Sequence, residues 1–201
     1  MLAEELKLAN YSCHALINRA NGVPVVFLHG YSFTSNVWQR AGAIELLEEK
    51  RIPFIALDMP YGAKSKCHPR TRNVESNITI IRQALQSAFG SISPMLVGAS
   101  LGGHIAVQYA SVFPVTALLL LAPVRLMDER LLQSYSSFKF PVHIVIGSED
   151  RVASLVELQS VTAKLPHAKL IVYEKAGHAA YVERSARFRQ DLLELYNLAE
   201  H

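Results

Sequence analysis

Short apolar runs recur along the chain, separated by longer stretches of mixed polarity. Val25–Leu28, Phe54–Leu57, Met95–Val97, Ala117–Leu121, Val142–Ile146 and Leu170–Tyr173 are uninterrupted by charge. Each is followed by a turn former or small residue: Gly30, Asp58, Gly98, Ala122-Pro123, Gly147 and Ala176-Gly177. Continuous runs rich in Val, Ile and Leu fit strands covered on both faces of a parallel sheet. The intervening segments carry helical periodicity. Val37–Lys50 contains Trp38, Ile44 and Leu47, and Val74–Phe89 spaces Ile78, Ile81 and Leu85 by three and four. Leu101–Phe113 must stop before Pro114, and Ala153–Leu165 before Pro166. Tyr181–Leu198 lines up Phe188, Leu192 and Leu195. This alternation predicts an α/β fold: a doubly wound, mostly parallel sheet with right-handed crossovers, in a single domain over 1–201. Ser12–Ile17 reads as an edge strand.

Composition narrows the class. The chain has 201 residues, 50% hydrophobic and 18% charged, with a formal net charge of +3. That suffices for one buried core and indicates no nucleic-acid partner and no membrane partner. Two cysteines, Cys13 and Cys67, are too few for a disulfide framework, and Cys67 reads as an ordinary thiol. No metal-ligand spacing and no phosphate or dinucleotide loop occurs, so neither metal nor cofactor is expected. The opening MLAEELKLANYS lacks a signal-peptide core, and the apolar run around Val115–Val124 is too short to span a bilayer. A soluble, cytoplasmic protein is the expectation.

The chemistry concentrates in Met95-Leu96-Val97-Gly98-Ala99-Ser100-Leu101-Gly102-Gly103-His104. Here G-x-S-x-G sits between a buried strand and a helix, the context in which a strained turn lifts a serine hydroxyl above a sheet. A serine is a weak nucleophile without an adjacent base. Asp150, just past the strand ending at Gly147, is the candidate acid, with Asp128 second choice; His178, past the last strand, is the candidate base. The order Ser, Asp, His suits a parallel sheet whose functional loops lie at its carboxyl edge. His104, His143, His14, His68 and His167 read as structural or solvent-exposed. Acyl transfer also needs oxyanion donors. The N–H of Leu101 and the N–H of Tyr31, in Leu28-His29-Gly30-Tyr31, are the candidates, with His29 bracing the loop. Lys64, Lys66, Arg70 and Arg72 crowd one segment, which reads as a solvated loop rather than an anion clamp.

These segments, His29-Gly30, Gly98-Ala99-Ser100-Leu101-Gly102-Gly103 and Gly177-His178, resemble the α/β-hydrolase superfamily over nearly the whole chain. The stretch FLHGYSFTSNVWQ is similar to the small α/β-hydrolase domain type 14 proteins. Asp58-Met59-Pro60-Tyr61-Gly62-Ala63-Lys64-Ser65 resembles the family's D-x-P-G-x-G-x-S, departing at Tyr61 and Ala63. The resemblance implies a serine hydrolase cleaving an ester or thioester of a small acyl group. An acyltransferase, or a non-catalytic binding protein on the same fold, are the alternatives. Only Val124–Lys139 stands where many members insert a cap, so no cap domain is expected. The site should be open and walled by Tyr31, Phe33, Met59, Tyr61, Val152 and Tyr181.

Overall fold

The computed structural model describes residues 2–200. The chain opens with β1 (Leu2–Leu8), β2 (Tyr11–Asn18) and β3 (Val25–Leu28), then α1 (Val37–Arg40) and α2 (Ala43–Glu49). β4 (Phe54–Leu57), β5 (Cys67–His68), α3 (Val74–Phe89), β6 (Met95–Ala99) and α4 (Leu101–Ala110) follow. The last part holds β7 (Ala117–Leu121), α5 (Glu129–Ser134), β8 (Val142–Gly147), α6 (Leu155–Thr162), β9 (Ala168–Tyr173), α7 (Ala180–Glu183) and α8 (Ser185–Ala199). The strands form one sheet in the order β1-β2-β4-β3-β6-β7-β8-β9, with β5 paired to β2. From β4 to β9 every neighbouring pair is parallel. β1 and β2 form an antiparallel margin on β4.

The continuous apolar runs of the inner strands have a direct cause in the two layers that cover the sheet, whereas β9, expected to be covered on both faces, lies at the margin and leaves Val172 exposed. Val26, Leu28, Leu96, Leu118 and Leu120 face one layer, where Ile80, Ile81 and Leu85 of α3 and Ile105 of α4 pack. Val25, Phe27, Val97, Leu119 and Leu121 face the other, against Trp38, Ile44, Phe188, Leu192 and Leu195. Side chains alternate between faces along a strand, so a strand with two covered faces must be apolar throughout. Strand order reverses at β3, which lies between β4 and β6. That switch point opens a crevice at the carboxyl edge of the sheet.

Several sequence expectations shift. β2 is not an edge strand, because β1 covers its outer side and β4 its inner side. The segment expected as one helix over Val37–Lys50 divides at Gly42, which takes φ +70° where the Arg189 side chain packs against it. The last helix divides at Arg184, whose guanidinium donates to the carbonyls of Glu174 (3.0 Å) and Lys175 (2.7 Å). Cys67 is not a free thiol: Cys13 and Cys67 oppose each other across β2 and β5 and are joined by a disulfide. Between β7 and β8 stand only α5 and a short 3-10 turn at Tyr135–Ser137, so no cap domain is inserted there. Among the described residues no helix is long and apolar enough to cross a membrane.

Candidate active site

The turn from β6 into α4 is built by close backbone contact. A Cβ on Gly98 would lie 2.5 Å from the Gly102 carbonyl oxygen, and one on Gly102 would lie 2.2 Å from the Leu28 carbonyl oxygen. Only residues without a Cβ let α4 descend onto β3 and β6 at this point. Between them Ser100 is held at φ +52°, ψ −113°, a conformation that costs a non-glycine residue about 1–3 kcal/mol. Its N–H bonds the Leu121 carbonyl at 2.9 Å, which continues the sheet ladder into the turn. The strain is thus maintained by the surrounding sheet, and the hydroxyl projects above the strand ends.

The three expected side chains meet there. Ser100 Oγ lies 3.0 Å from His178 Nε2. His178 Nδ1 lies 2.9 Å from Asp150 Oδ2 and 3.1 Å from Oδ1. With Nδ1 protonated, the ring donates to the carboxylate and accepts the serine proton at Nε2. The Asp150 carboxylate is fully buried, and it also accepts the N–H groups of Val152 (2.7 Å) and Ala153 (3.0 Å). These bonds fix its orientation and compensate its desolvation. Asp128, the second choice for the acid, is spent as the cap of α5, where it accepts the Arg130 N–H.

The acid and histidine loops are locked together. Gly147 passes so close to the Ala176 carbonyl oxygen that a Cβ would sit 2.1 Å away, and the Glu149 N–H bonds that same oxygen at 2.9 Å. Glu183, which sequence reasoning did not single out, accepts the Gly177 N–H at 3.1 Å and steadies the residue before His178. Gly177 itself has no left-handed conformation; the close approach is made at Gly147.

His29 is buried and braces the loop after β3, as expected. Its Nδ1 donates to the Gly30 carbonyl (2.8 Å) and its Nε2 accepts the Met59 N–H (2.9 Å). The bond accepted at Nε2 needs the neutral ring, and burial pushes its pKa below the usual histidine value. Asp58 joins two more segments by accepting the N–H groups of Ser35 (2.7 Å) and Lys66 (2.8 Å). A Cβ on Gly30 would lie 3.5 Å from the Ser100 Cβ, so this loop runs directly beside the serine. The Phe33 N–H closes the turn onto the Gly30 carbonyl at 3.1 Å. Leu101 opens α4, so its N–H has no acceptor within the helix.

Two cavities open from Ser100. One, of about 260 Å³, is lined by Tyr31, Phe33, Val152, His178 and Tyr181 among others. The second, of about 330 Å³, is lined by Tyr31, Tyr61, Leu101, Ile105 and Val152 together with Arg72 and Arg125. Of the six expected wall residues, five line these cavities. Met59 does not: it is fully buried within the core, behind the loop. Tyr61 is itself buried, its hydroxyl donating to the His29 carbonyl at 2.6 Å, and that burial raises its pKa well above the usual tyrosine value. His104 lies on the wall of the second cavity, with Nδ1 3.2 Å from the Arg125 carbonyl.

Comparison with known proteins agrees with the fold. Residues 23–139 match the family described as alpha/beta hydrolase fold, a span that ends before Asp150 and His178. The chain is 26% identical over 179 residues to "Protein ABHD14A" of Homo sapiens, covering 88% of this chain but 65% of that protein, less than two thirds of its length. It is 28% identical over 177 residues to the "Putative protein-lysine deacylase ABHD14B" of Rattus norvegicus, covering 85% of this chain and 81% of that one. In structure it superposes with TM-score 0.86 and 22% identity on a "predicted CIB-like hydrolase" from Thermoplasma acidophilum, over 98% of both chains. With the family match extending over more than half its length, the chain belongs to the α/β-hydrolase fold family.

Proposed function

We propose that the protein is a serine hydrolase that cleaves the ester or thioester of a small acyl group through an acyl-enzyme on Ser100. The observation that carries this reading is the unbroken chain of hydrogen bonds from Ser100 Oγ through His178 to the buried Asp150 carboxylate. His178 takes the hydroxyl proton as Oγ attacks the carbonyl carbon. Asp150 holds the ring tautomer and stabilises the imidazolium. The N–H groups of Tyr31 and Leu101 receive the developing oxyanion. His178 then protonates the leaving alcohol or thiol, and a water activated by the same ring releases the acid and restores Ser100. The chain acts as one catalytic domain with no bound cofactor in this scheme. The rat relative, named a "Putative protein-lysine deacylase", supports acyl removal as the shared theme.

A second reading has support in the open site. With no cap over the strand ends and Val152 65% exposed at the rim, an acceptor other than water can reach the acyl-enzyme. Acyl products formed on added alcohol or coenzyme A would identify transfer.

The test is Ser100→Ala assayed on p-nitrophenyl acetate and butyrate. Turnover should fall by at least about a thousandfold, the scale at which loss of a triad nucleophile is felt. Unchanged turnover in pure, folded mutant protein would remove Ser100 from the mechanism.

A further inference from the structure

The two cavities that meet at Ser100 differ in chemistry, and this difference bears on the substrate. They share Tyr31, Ser100 and Val152 as a common wall. The first contains His178 and is otherwise lined by apolar, aromatic and small residues. The second does not contain His178; its apolar lining is Val74, Leu101, Ile105 and Val124, and two exposed basic residues, Arg72 and Arg125, stand on its wall beside His104. A general acid must lie within hydrogen-bond reach of the atom it protonates. The leaving oxygen or sulfur therefore belongs on the His178 side, in the first cavity. The acyl chain is left the second cavity, where it would run over Leu101, Ile105 and Val124 toward the arginines.

Among the described residues those arginines are not ion-paired, although the Asp128 charge acts on His104 beside Arg125. Of the same residues, no Asp or Glu lines the cavity. Arg72 lies over the Tyr31 ring, 5.1 Å from its centroid, and donates to its hydroxyl at 3.1 Å. The Arg125 backbone is held by His104, whose Nδ1 donates to its carbonyl. The rest of the basic segment behaves differently. Arg70 uses its guanidinium on the carbonyls of Gly62 (2.7 Å), Ala63 and Ser65 (3.1 Å), and Lys64 and Lys66 are exposed away from the cavity. Lys64, Lys66 and Arg70 thus fit the solvated loop expected from the sequence, and Arg72 differs from them by lining the cavity. One cation of that loop, Arg72, faces the site, and its companion comes from the loop after β7.

A plain fatty acyl chain would leave both guanidiniums to water, whereas a carboxylate at its far end would meet planar, multidentate donors. We propose that the preferred acyl group is an ω-carboxyacyl group, bound with its terminal carboxylate between Arg72 and Arg125. This rests on Ser100 acting as the nucleophile. The Ser100 Oγ–acyl bond forms as the bond to the leaving thiolate or alkoxide breaks. Water then adds, and the products are a free dicarboxylate and the restored serine.

The experiment compares N-acetylcysteamine thioesters of hexanoate and adipate, matched in carbon number and differing in the terminal methyl or carboxylate. The wild-type kcat/KM should be at least tenfold higher for the adipoyl thioester. Arg72→Gln and Arg125→Gln should each lower that preference at least tenfold, and Arg72→Lys should restore part of it. A wild-type preference for hexanoyl, or a ratio that neither substitution moves, would overturn the proposal. So would a preference that follows coenzyme A over N-acetylcysteamine for the same acyl group and vanishes in the arginine variants, because the anion would then lie in the leaving group. Hexanoyl turnover without adipoyl preference removes this inference alone. Turnover of neither thioester above the Ser100→Ala level removes the nucleophile reading as well.

Discussion

The carboxyl edge of the sheet and its amino-terminal margin are held by different forces. At the carboxyl edge, backbones touch: α4 lies against β3 through Gly102, and the acid loop lies against the histidine loop through Gly147. Buried carboxylates and a neutral histidine then tie the loops by bonds to main-chain N–H groups. At the margin, β1 and β2 form a hairpin whose outer strand is half exposed. It is fastened by the Cys13–Cys67 disulfide and by an exposed ion pair between Arg19 and Glu4. At Gly98, Gly102 and Gly147 the first region has no room for a side chain, and there His178 stands within hydrogen-bond distance of both Ser100 and Asp150. The other needs only to remain attached.

The largest expected effect tests the tight region. Gly102→Ala would drive a Cβ into the Leu28 carbonyl oxygen, a backbone atom that cannot step aside. The expected cost is at least about 3 kcal/mol, at the high end of overpacking effects, with loss of esterase activity. Urea unfolding would measure it, and a variant as stable as wild type would show that α4 can shift.

A smaller effect tests the margin. Replacing Cys13 and Cys67 together by Ala removes a cross-link between residues 54 apart in sequence. Stability should fall by about 2–4 kcal/mol, while turnover at Ser100 in the folded protein persists. Loss of turnover without loss of fold would mean that the margin reaches the site after all.

The smallest effect is in pH. Burial lowers the pKa of His29, and of His104 and His143, below the usual value near 6.5. The unfolded chain then binds more protons than the folded one once the pH drops below about 6.5, so stability declines as pH falls through that window. A second proton on His29 would also break its bond from the Met59 N–H. Tm should be lower at about pH 5 than at about pH 7.5. A flat profile would argue that these rings are not held neutral.

The sequence conveyed most of the tight region because that region is local and patterned. Fully apolar strands, prolines that stop helices and G-x-S-x-G each act over a few residues, and Asp150 and His178 followed from strand order. What it withheld was non-local or mixed in signal. β1 reads LAEELKL, in which only Leu6 and Leu8 are buried, so its alternation is weak. The pairing of Cys13 with Cys67 depends on β5 lying beside β2, a contact no short pattern encodes. Met59, expected on the pocket wall, is instead fully buried in the core, a placement set by the packing of the whole layer. Arg125 joins the cavity wall only through the fold, and Glu183 reaches back to the Gly177 N–H, contacts that no motif marks.

The central claim is that Ser100 is an activated nucleophile, and fluorophosphonate labelling with peptide mapping tests it most directly. The account predicts one adduct, on the peptide containing Ser100, absent from Ser100→Ala. No adduct on the folded protein, or an adduct that persists in Ser100→Ala, would contradict it.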